Sequence, residues 1–434
     1  MRDARRRNSS SSGRANRRRV WFGLFVAALE FGASSCGRGE HANVILIVVD
    51  DLRADHLSHA GYSRTTSPFL DELAAKSTRF ENALSQSSYT KTSVASLFTS
   101  LHPEAHGVRG SRDVLPDSAQ TLAEALKNHG YRTFAIHGNP WLEERFGFRQ
   151  GFDRFRFTHW YKDTFDARKV NERALRWLDR THGEPFFLYL HYMDVHSPWK
   201  PPQDFDRFGP HGVDKYDGSI LYLDTRLKEL FAALERRGLG KNTWIVFTSD
   251  HGEEFGERGN HKVGHGITLY REVLRVPLIF HHRKATPGKG VVRQVRLIDV
   301  APTILDLLGI AIPEDMEGVS LKADVVGSAR TDDDLDSLSQ VGLNDVAPDK
   351  DLVALSTRKY KYILDFHSGE EELYDLIVDP GETFNLAPVQ PDLASEYREY
   401  VLRFRKNAKR LGAAPDAAID PELEEQLRSL GYLK

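Results

Sequence analysis

Residues 43–51, NVILIVVDD, constrain this chain more than any other stretch. Val44 to Val49 is aliphatic without alternation, the pattern of a short strand covered on both faces. It ends abruptly in two carboxylates, Asp50 and Asp51. In open α/β sheets ligands bind beyond the carboxyl ends of the strands. The acid pair therefore reads either as a solvated turn or as one wall of a metal site. TWIVFTSDHGEEFGERGNHKVGHG (243–266) repeats the design, with Asp250 and His251 directly after an apolar strand. PFFLYLHYMDVHSPWKPP (185–202) is a third strand, trailed by His191, Asp194 and His196, and YRTFAIHGN a fourth that ends at His137. Acids and histidines at one expected edge point to a single shared site.

Helical segments separate these strands. TTSPFLDELAAKS (65–77) has Ser67 and Pro68 as start signals, and SAQTLAEALKNHG (118–130) ends on Gly130. YDGSILYLDTRLKELFAALERRG (216–238) carries apolar residues at helical spacing, and DVAPTILDLLG (299–309) forms another helix. SVASLFTS is a helix with Thr90 and Lys91 at or just before its N-terminus, where free backbone N–H groups suit an anion. Alternating strands and helices imply an α/β fold, a large, mostly parallel sheet with helices on both faces. Residues 323–352 turn acidic and polar and read as a surface loop or linker. ALSTRKYKYILDF and EEELYDLIVDP then suggest two antiparallel strands of a small C-terminal subdomain, residues 353–434, with PELEEQLRSLGYLK as a short docking helix.

With 434 residues and a net charge of −3, the chain can bury a large core and has no basic footprint for nucleic acid. Its single cysteine, Cys36, excludes an internal disulfide and a thiolate metal cluster, so any metal must use Asp, Glu, His or hydroxyl oxygen. Residues 1–40 combine a basic start, the apolar stretch VWFGLFVAAL and ASSC at 33–36. They read as an export leader of the lipoprotein type, with Cys36 as the lipidated residue and a periplasmic or membrane-anchored destination; the bland alternative is a basic tail.

VILIVVDDLRADHL, ASLFTSLHPEAHGV, DVHSPW, TSDHGEEFG, GHGITLYREVLRVPLIF, RLIDVAPTILDLLG and ELYDLIVDPGETFNL, in that order, closely resemble the sulfatase family of the alkaline-phosphatase superfamily. The resemblance runs from Asn43 to the C-terminus. It implies an alkaline-phosphatase-like large mixed sheet with a small C-terminal antiparallel sheet, over a catalytic domain of residues 41–322. It also implies a divalent metal ion held by Asp50, Asp51, Thr90, Asp250 and His251, with calcium favoured by the family and manganese, magnesium or zinc as alternatives. His196 matches a position that contacts the transferred group or protonates the leaving oxygen, and His265 falls where the family has Lys or His in a similar role. Formylglycine sulfatases carry Cys or Ser in a window that here reads Thr90, Lys91, Thr92, Ser93 and Val94. Threonine cannot mature to formylglycine, and Val94 removes the usual supporting arginine, for which Lys91 is a candidate replacement. The chain thus resembles the sulfatase-like branch with a Thr nucleophile. Ser88 and Thr92 are the competing hydroxyls.

These readings imply hydrolysis of sulfate, phosphate or phosphonate esters through a covalent intermediate on Thr90. The substrate would be a small-molecule or glycan ester, bound by His196, His265 and Lys91. Two alternatives stay open: a transferase moving a phospho-group onto an envelope glycan or lipid, and a silent binding homologue. Trp141, Trp160, Trp199 and Phe205 are candidates for a specificity pocket or for the core. Spacing offers no convincing ligand set for a second metal.

Overall fold

The computed structural model describes residues 42–158, 166–181, 183–258, 263–328, 334–412 and 416–433. The leader with Cys36, as well as Trp160 and His261, lies outside the described residues. Strands are numbered in chain order: β1 (Asn43–Val49), β2 (Thr78–Leu84), β3 (Arg132–His137), β4 (Arg154–Phe157), β5 (Phe186–Tyr192), β6 (Thr243–Ser249), β7 (Glu254–Phe255), β8 (Val263–Gly264), β9 (Arg275–His281), β10 (Lys289–Arg296), β11 (Ser337–Gly342), β12 (Asp351–Ser356), β13 (Tyr360–Asp365) and β14 (Glu371–Asp375). The large sheet has the order β10-β2-β9-β6-β1-β5-β3-β4. Every pairing is parallel except those of β9, which runs antiparallel to both β2 and β6.

β1 lies between β5 and β6, and its unbroken aliphatic run serves two cores. Val44, Leu46 and Val48 join one apolar cluster, and Ile45, Ile47 and Val49 the other. The first core takes the helix Thr90–Thr99, whose ten residues are all buried. The second takes the long helix Gly212–Arg236 and the helix Ala167–Leu178. Because β1, β3, β5 and β6 are parallel, Asp50, His137, the residues after Tyr192, and Asp250 emerge at one edge, as the sequence pattern requires.

β11 to β14 form the small antiparallel sheet, covered by the helix Pro391–Asn407 through Ala394 and Val401. It has four strands where two were expected. The segment 323–352, expected to be a surface loop or linker, supplies β11, all six residues of which are buried. The strand, SLSQVG, offers little apolar periodicity, and polar bonds tie it down: Ser339 Oγ donates to the Ser85 carbonyl at 2.6 Å, and the Gln340 backbone amide to the Gln86 carbonyl at 2.8 Å. The terminal helix, Pro421–Ser429, is capped by Asp420 Oδ1, which accepts from the Leu423 amide. Leu423, Leu427, Leu430 and Tyr432 dock it into the first core. Among the described residues no helix is long and apolar enough to cross a membrane.

Candidate active site

Three polar ties hold the site's backbone. Ser249 Oγ, at the end of β6, donates to the Val49 carbonyl (2.6 Å) and accepts from the Leu52 amide (2.9 Å), stitching the ends of β1 and β6. Ser93 Oγ donates to the Asp250 carbonyl at 2.7 Å, fixing the Thr90 helix to β6. Asp51 adopts φ +64°, a conformation that short acidic side chains tolerate better than most. This turn, held by the Tyr216 hydroxyl on the Asp51 carbonyl (2.8 Å), keeps both carboxylates buried.

Thr90, the first residue of its helix, is fully buried. Its Oγ1 is 3.1 Å from His251 Nε2, 3.1 Å from the Tyr432 hydroxyl and 3.5 Å from Asp50 Oδ1. Ser88, by contrast, donates to the Thr268 carbonyl at 2.6 Å. Asp50 Oδ2 accepts from Asn139 Nδ2 (2.7 Å) and pairs with His191 Nε2 (2.9 Å), while the Tyr189 hydroxyl lies 2.7 Å from His191 Nδ1. A hydroxyl donated to Nδ1 leaves Nε2–H to point at the carboxylate. His251 Nδ1 lies 3.0 Å from the Gly252 carbonyl, and the Nε2 edge of the ring faces Thr90.

Asp51 faces a second group of side chains. Its Oδ1 lies 3.1 Å from His265 Nδ1 and 3.1 Å from His251 Nδ1, and its Oδ2 lies 3.7 Å from His196 Nε2. Glu253 Oε2 approaches His265 Nδ1 at 3.4 Å. His196 Nδ1 is 2.5 Å from the Ser197 carbonyl, and its Nε2 is 3.0 Å from the Tyr432 hydroxyl.

The electrostatics follow from burying so much charge. Burial alone would raise Asp50, but the His191 hydrogen bond and the charges of His196, His191 and His251 hold it below the usual carboxylate range. Asp250 is pushed up to about 6, by burial first and then by the charge of Asp50. His251 and His265 go the other way: burial opposes their protonation, yet Asp250 with Asp51, and Asp51 with Glu253, raise them to about 10 and about 9. These are the signatures of carboxylates crowded together with too little positive charge. Both oxygens of Asp51, and Asp250 Oδ2, are buried without a hydrogen-bond partner. Orphaned buried oxygens of this kind fit a divalent cation, and three ligand trios lie close enough to hold one: Asp50, Asp51 and His251; Asp50, His191 and Asp250; Asp51, His196 and His265.

Of the residues singled out from the sequence, Asp50, Asp51, Thr90, His196, Asp250, His251 and His265 converge here. Lys91 does not join them. Its ammonium donates to the Ser111 carbonyl at 2.7 Å and lies 3.6 Å from the centre of the Phe146 ring. Neighbours in a helix point about 100° apart, so a lysine next to Thr90 faces elsewhere. His137 packs on Phe155 and Phe157, and Asp194 accepts from the Ala167 amide at 2.9 Å at the start of a helix; neither enters the site. Trp141 is a core residue with no exposure. Trp199 and Phe205 pack partly buried against Tyr216 and Tyr222.

Three contributors went unpredicted, and His191, noted at its strand end, had been given no role. Asn139 stands just beyond the end of β3, where strand-end position is itself a signal. Glu253 follows Asp250 within the same motif. Tyr432 carries no local signal at all. Its hydroxyl is 3.1 Å from Thr90 Oγ1, 3.0 Å from Asn139 Nδ2 and 3.0 Å from His196 Nε2, and its ring packs on Tyr89, Trp141, His196 and His265.

A mixed sheet of this order, with acids at the ends of β1 and β6 and a hydroxyl at a facing helix start, is an alkaline-phosphatase-like α/β architecture. The chain belongs to the sulfatase family: the sulfatase family model matches residues 42–310, and the model for the C-terminal region of N-sulphoglucosamine sulphohydrolase matches residues 259–406. It is accordingly a hydrolase acting on sulfate or phosphate esters. An arylsulfatase of Clostridium perfringens is 25% identical over 84% of this chain and 93% of its own length. A multifunctional alkaline phosphatase superfamily protein of Trinickia caryophylli is 26% identical over 84% of this chain and 95% of its own. Among solved structures, the phosphonate monoester hydrolase of Agrobacterium radiobacter superposes with a TM-score of 0.74 at 20% identity, covering 84% of this chain and 95% of that one.

Proposed function

We propose that this chain is a metal-dependent hydrolase that opens a sulfate, phosphate or phosphonate ester by attack of Thr90 Oγ1 on sulfur or phosphorus, followed by hydrolysis of the covalent intermediate. The observation that carries the reading is the position of the Thr90 oxygen, 3.1 Å from His251 Nε2 and 3.5 Å from Asp50 Oδ1, at the edge where the orphaned Asp250 oxygen also lies. Asp50, Asp250, His251 and Thr90 would hold a divalent cation, with Asp51 as the fifth candidate ligand. When bound, such an ion lowers the pKa of the attacking hydroxyl and neutralises charge that develops on the ester oxygens.

The chain's own groups supply the rest. Asn139 and His191 fix the orientation of Asp50. His196 and His265 present nitrogens on the far side of Asp51 and stabilise the negative charge spread over the transferred group. The Tyr432 hydroxyl marks where an oxygen of that group belongs, because it touches the nucleophile, the Asn139 amide and His196 at 3.1, 3.0 and 3.0 Å. An incoming ester oxygen takes its place, and the C-terminal tail yields as it does so.

The test is turnover of metal-loaded protein on aryl sulfate, phosphate monoester, phosphate diester and phosphonate monoester substrates. At least one class should be hydrolysed, and Thr90→Ala should lower kcat by about a thousandfold or more, as loss of a covalent nucleophile does. Full turnover in the Thr90→Ala protein would contradict the reading.

A further inference from the structure

We propose that an arginine-lined groove at the outer edge of the large sheet, between β4 and the helix Ala167–Leu178, holds a glycan chain that carries repeated sulfate or phosphate groups. The choice of a glycan rests on the hydrolase reading above and deepens it: one ester of the polymer goes to Thr90 while the groove grips other anionic groups of the same chain.

β4 is the last strand of the large sheet, and its sequence, Arg154-Phe155-Arg156-Phe157, alternates. Successive side chains of a strand point to opposite faces. Phe155 packs against the first core, whereas Arg154 and Arg156, in register with Phe134 and Ile136 of β3, are exposed on the other face. On that face the helix Ala167–Leu178 packs over β3 and β5 through Val170, Ala174 and Leu178. Strand and helix border a cavity of ≈ 640 Å³ whose lining includes Arg149, Arg154, Arg156, Arg173, Arg176 and Arg180 and no carboxylate.

Little negative charge answers these cations. Arg149 pairs with Glu144 at 2.6 Å and Arg176 with Glu172 at 3.8 Å, at exposed positions where such pairs are weak. Arg154, Arg156 and Arg180 have no ion-pair partner among the described residues, and Asp179, next to Arg180 in sequence, is taken by Arg237 at 2.7 Å. The larger cavity beside β10, ≈ 880 Å³, is built the other way: there Asp324 answers Arg293 at 2.6 Å and Glu382 answers Lys361 at 3.0 Å. The whole chain has a net charge of −3, so the arginine groove is not a sample of general basicity. Charges on an edge strand can serve merely to keep another strand from pairing there. That accounts for Arg154 and Arg156. It does not account for Arg173, Arg176 and Arg180, which stand on and just past a helix at a spacing that gathers them on one face, where like charges repel.

Guanidinium groups are planar forks that match the oxygens of sulfate and phosphate two at a time. Among polyanions, the groove favours a glycan. Trp177 lies on Phe134 with 3.5 Å between ring centres, and Phe155 lies 4.5 Å from His137, so the rings that line the groove are engaged and offer no platform for stacked bases. Cations set around a concavity follow a chain, whereas a bilayer offers a plane. β4 stands three strands from β1, roughly 14 Å across the sheet at the usual strand spacing. A small ester cannot reach both places, but a chain of several sugars can.

The experiment is titration calorimetry of the full chain, in a Thr90→Ala background that leaves the probe intact. The probes are dextran sulfate, phosphorylated dextran and neutral dextran, with oligothymidylate and phosphatidylserine vesicles as the other polyanions. At least one charged dextran should bind, and the stronger of the two identifies the anionic group; neutral dextran should not bind. Combining Arg154→Ser, Arg156→Ser and Arg180→Ser should weaken that binding by about tenfold or more. With Thr90 in place, the same three substitutions should leave turnover of a small aryl ester unchanged, which also reports an intact fold. No binding of either charged dextran overturns the inference. Binding undiminished by the substitutions, the result if the arginines of residues 1–40 were responsible, does so as well. So do tighter binding of oligothymidylate or vesicles than of either charged dextran, and loss of small-ester turnover in the triply substituted protein alone. Small-ester turnover absent from both proteins, with glycan binding still weakened by the substitutions, sinks the hydrolase reading and leaves the groove standing.

Discussion

Two walls enclose Thr90, and they are built differently. One is the carboxyl edge of the large sheet, where Asp50, Asp250, His251 and His191 sit on the ends of central strands locked between two cores. The other is the last turn of the chain, where Tyr432 reaches Thr90 from a nine-residue helix held by Leu423, Leu427 and Leu430. Both family models stop short of it, at residues 310 and 406. Ligands held in fixed geometry need a buried sheet, whereas a nine-residue helix docked by Leu423, Leu427 and Leu430 is a smaller unit that can open locally. On the proposed reading the sheet edge carries the chemistry and the tail closes over it.

The largest expected effect falls on the tail. Leu427 has no exposure, and removing a buried leucine side chain costs about 2–5 kcal/mol. Leu427→Ala should release that stabilisation locally, so that residues 421–433 lose protection in hydrogen–deuterium exchange while β1 and β6 keep theirs. Equal loss in both regions would merge the two walls into one cooperative unit.

A smaller effect tests the support beneath the sheet wall. His106 accepts from the Val108 amide at Nδ1, lies 3.0 Å from Ser96 Oγ of the Thr90 helix, and is held down to about 3 by burial. Because its folded value lies below the unfolded value of about 6.5, the unfolded chain binds more protons between those limits. The stability from keeping it neutral is therefore present above pH 6.5 and lost as pH falls. By pH 5 the loss amounts to about 2 kcal/mol. Urea unfolding at pH 7 and pH 5 should show a drop smaller by about that amount in His106→Gln than in the unaltered protein.

The smallest effect concerns a single hydroxyl. Tyr432→Phe removes the hydrogen bonds by which the tail competes with substrate, a difference of roughly 1 kcal/mol. KM should fall by up to about fivefold with kcat unchanged, the result expected when a closed state becomes less populated. A fall in kcat instead would make Tyr432 part of the chemistry.

The contrast between the walls is also a contrast in legibility. NVILIVVDD and TWIVFTSDH announced the sheet wall because an unbroken aliphatic run that ends in acids suits a doubly covered strand opening onto a polar site and little else. The small sheet was half legible: β12 and β13 are rich in apolar residues, but β11 sets Leu338 and Val341 among serine, glutamine and glycine whose burial depends on partners distant in sequence. Lys91 misled because adjacency in sequence is not adjacency on a helix. Tyr432 was invisible because nothing in a terminal SLGYLK specifies what it docks against.

The central claim is that the Thr90 oxygen becomes covalently bonded to the transferred group. Acid quenching of metal-loaded protein during turnover of an ester it hydrolyses, followed by peptide mass spectrometry, tests this directly. The account predicts a sulfo or phospho adduct on Thr90, in the peptide that spans the start of its helix. An adduct on another side chain, or steady turnover with Thr90 never modified, would contradict it.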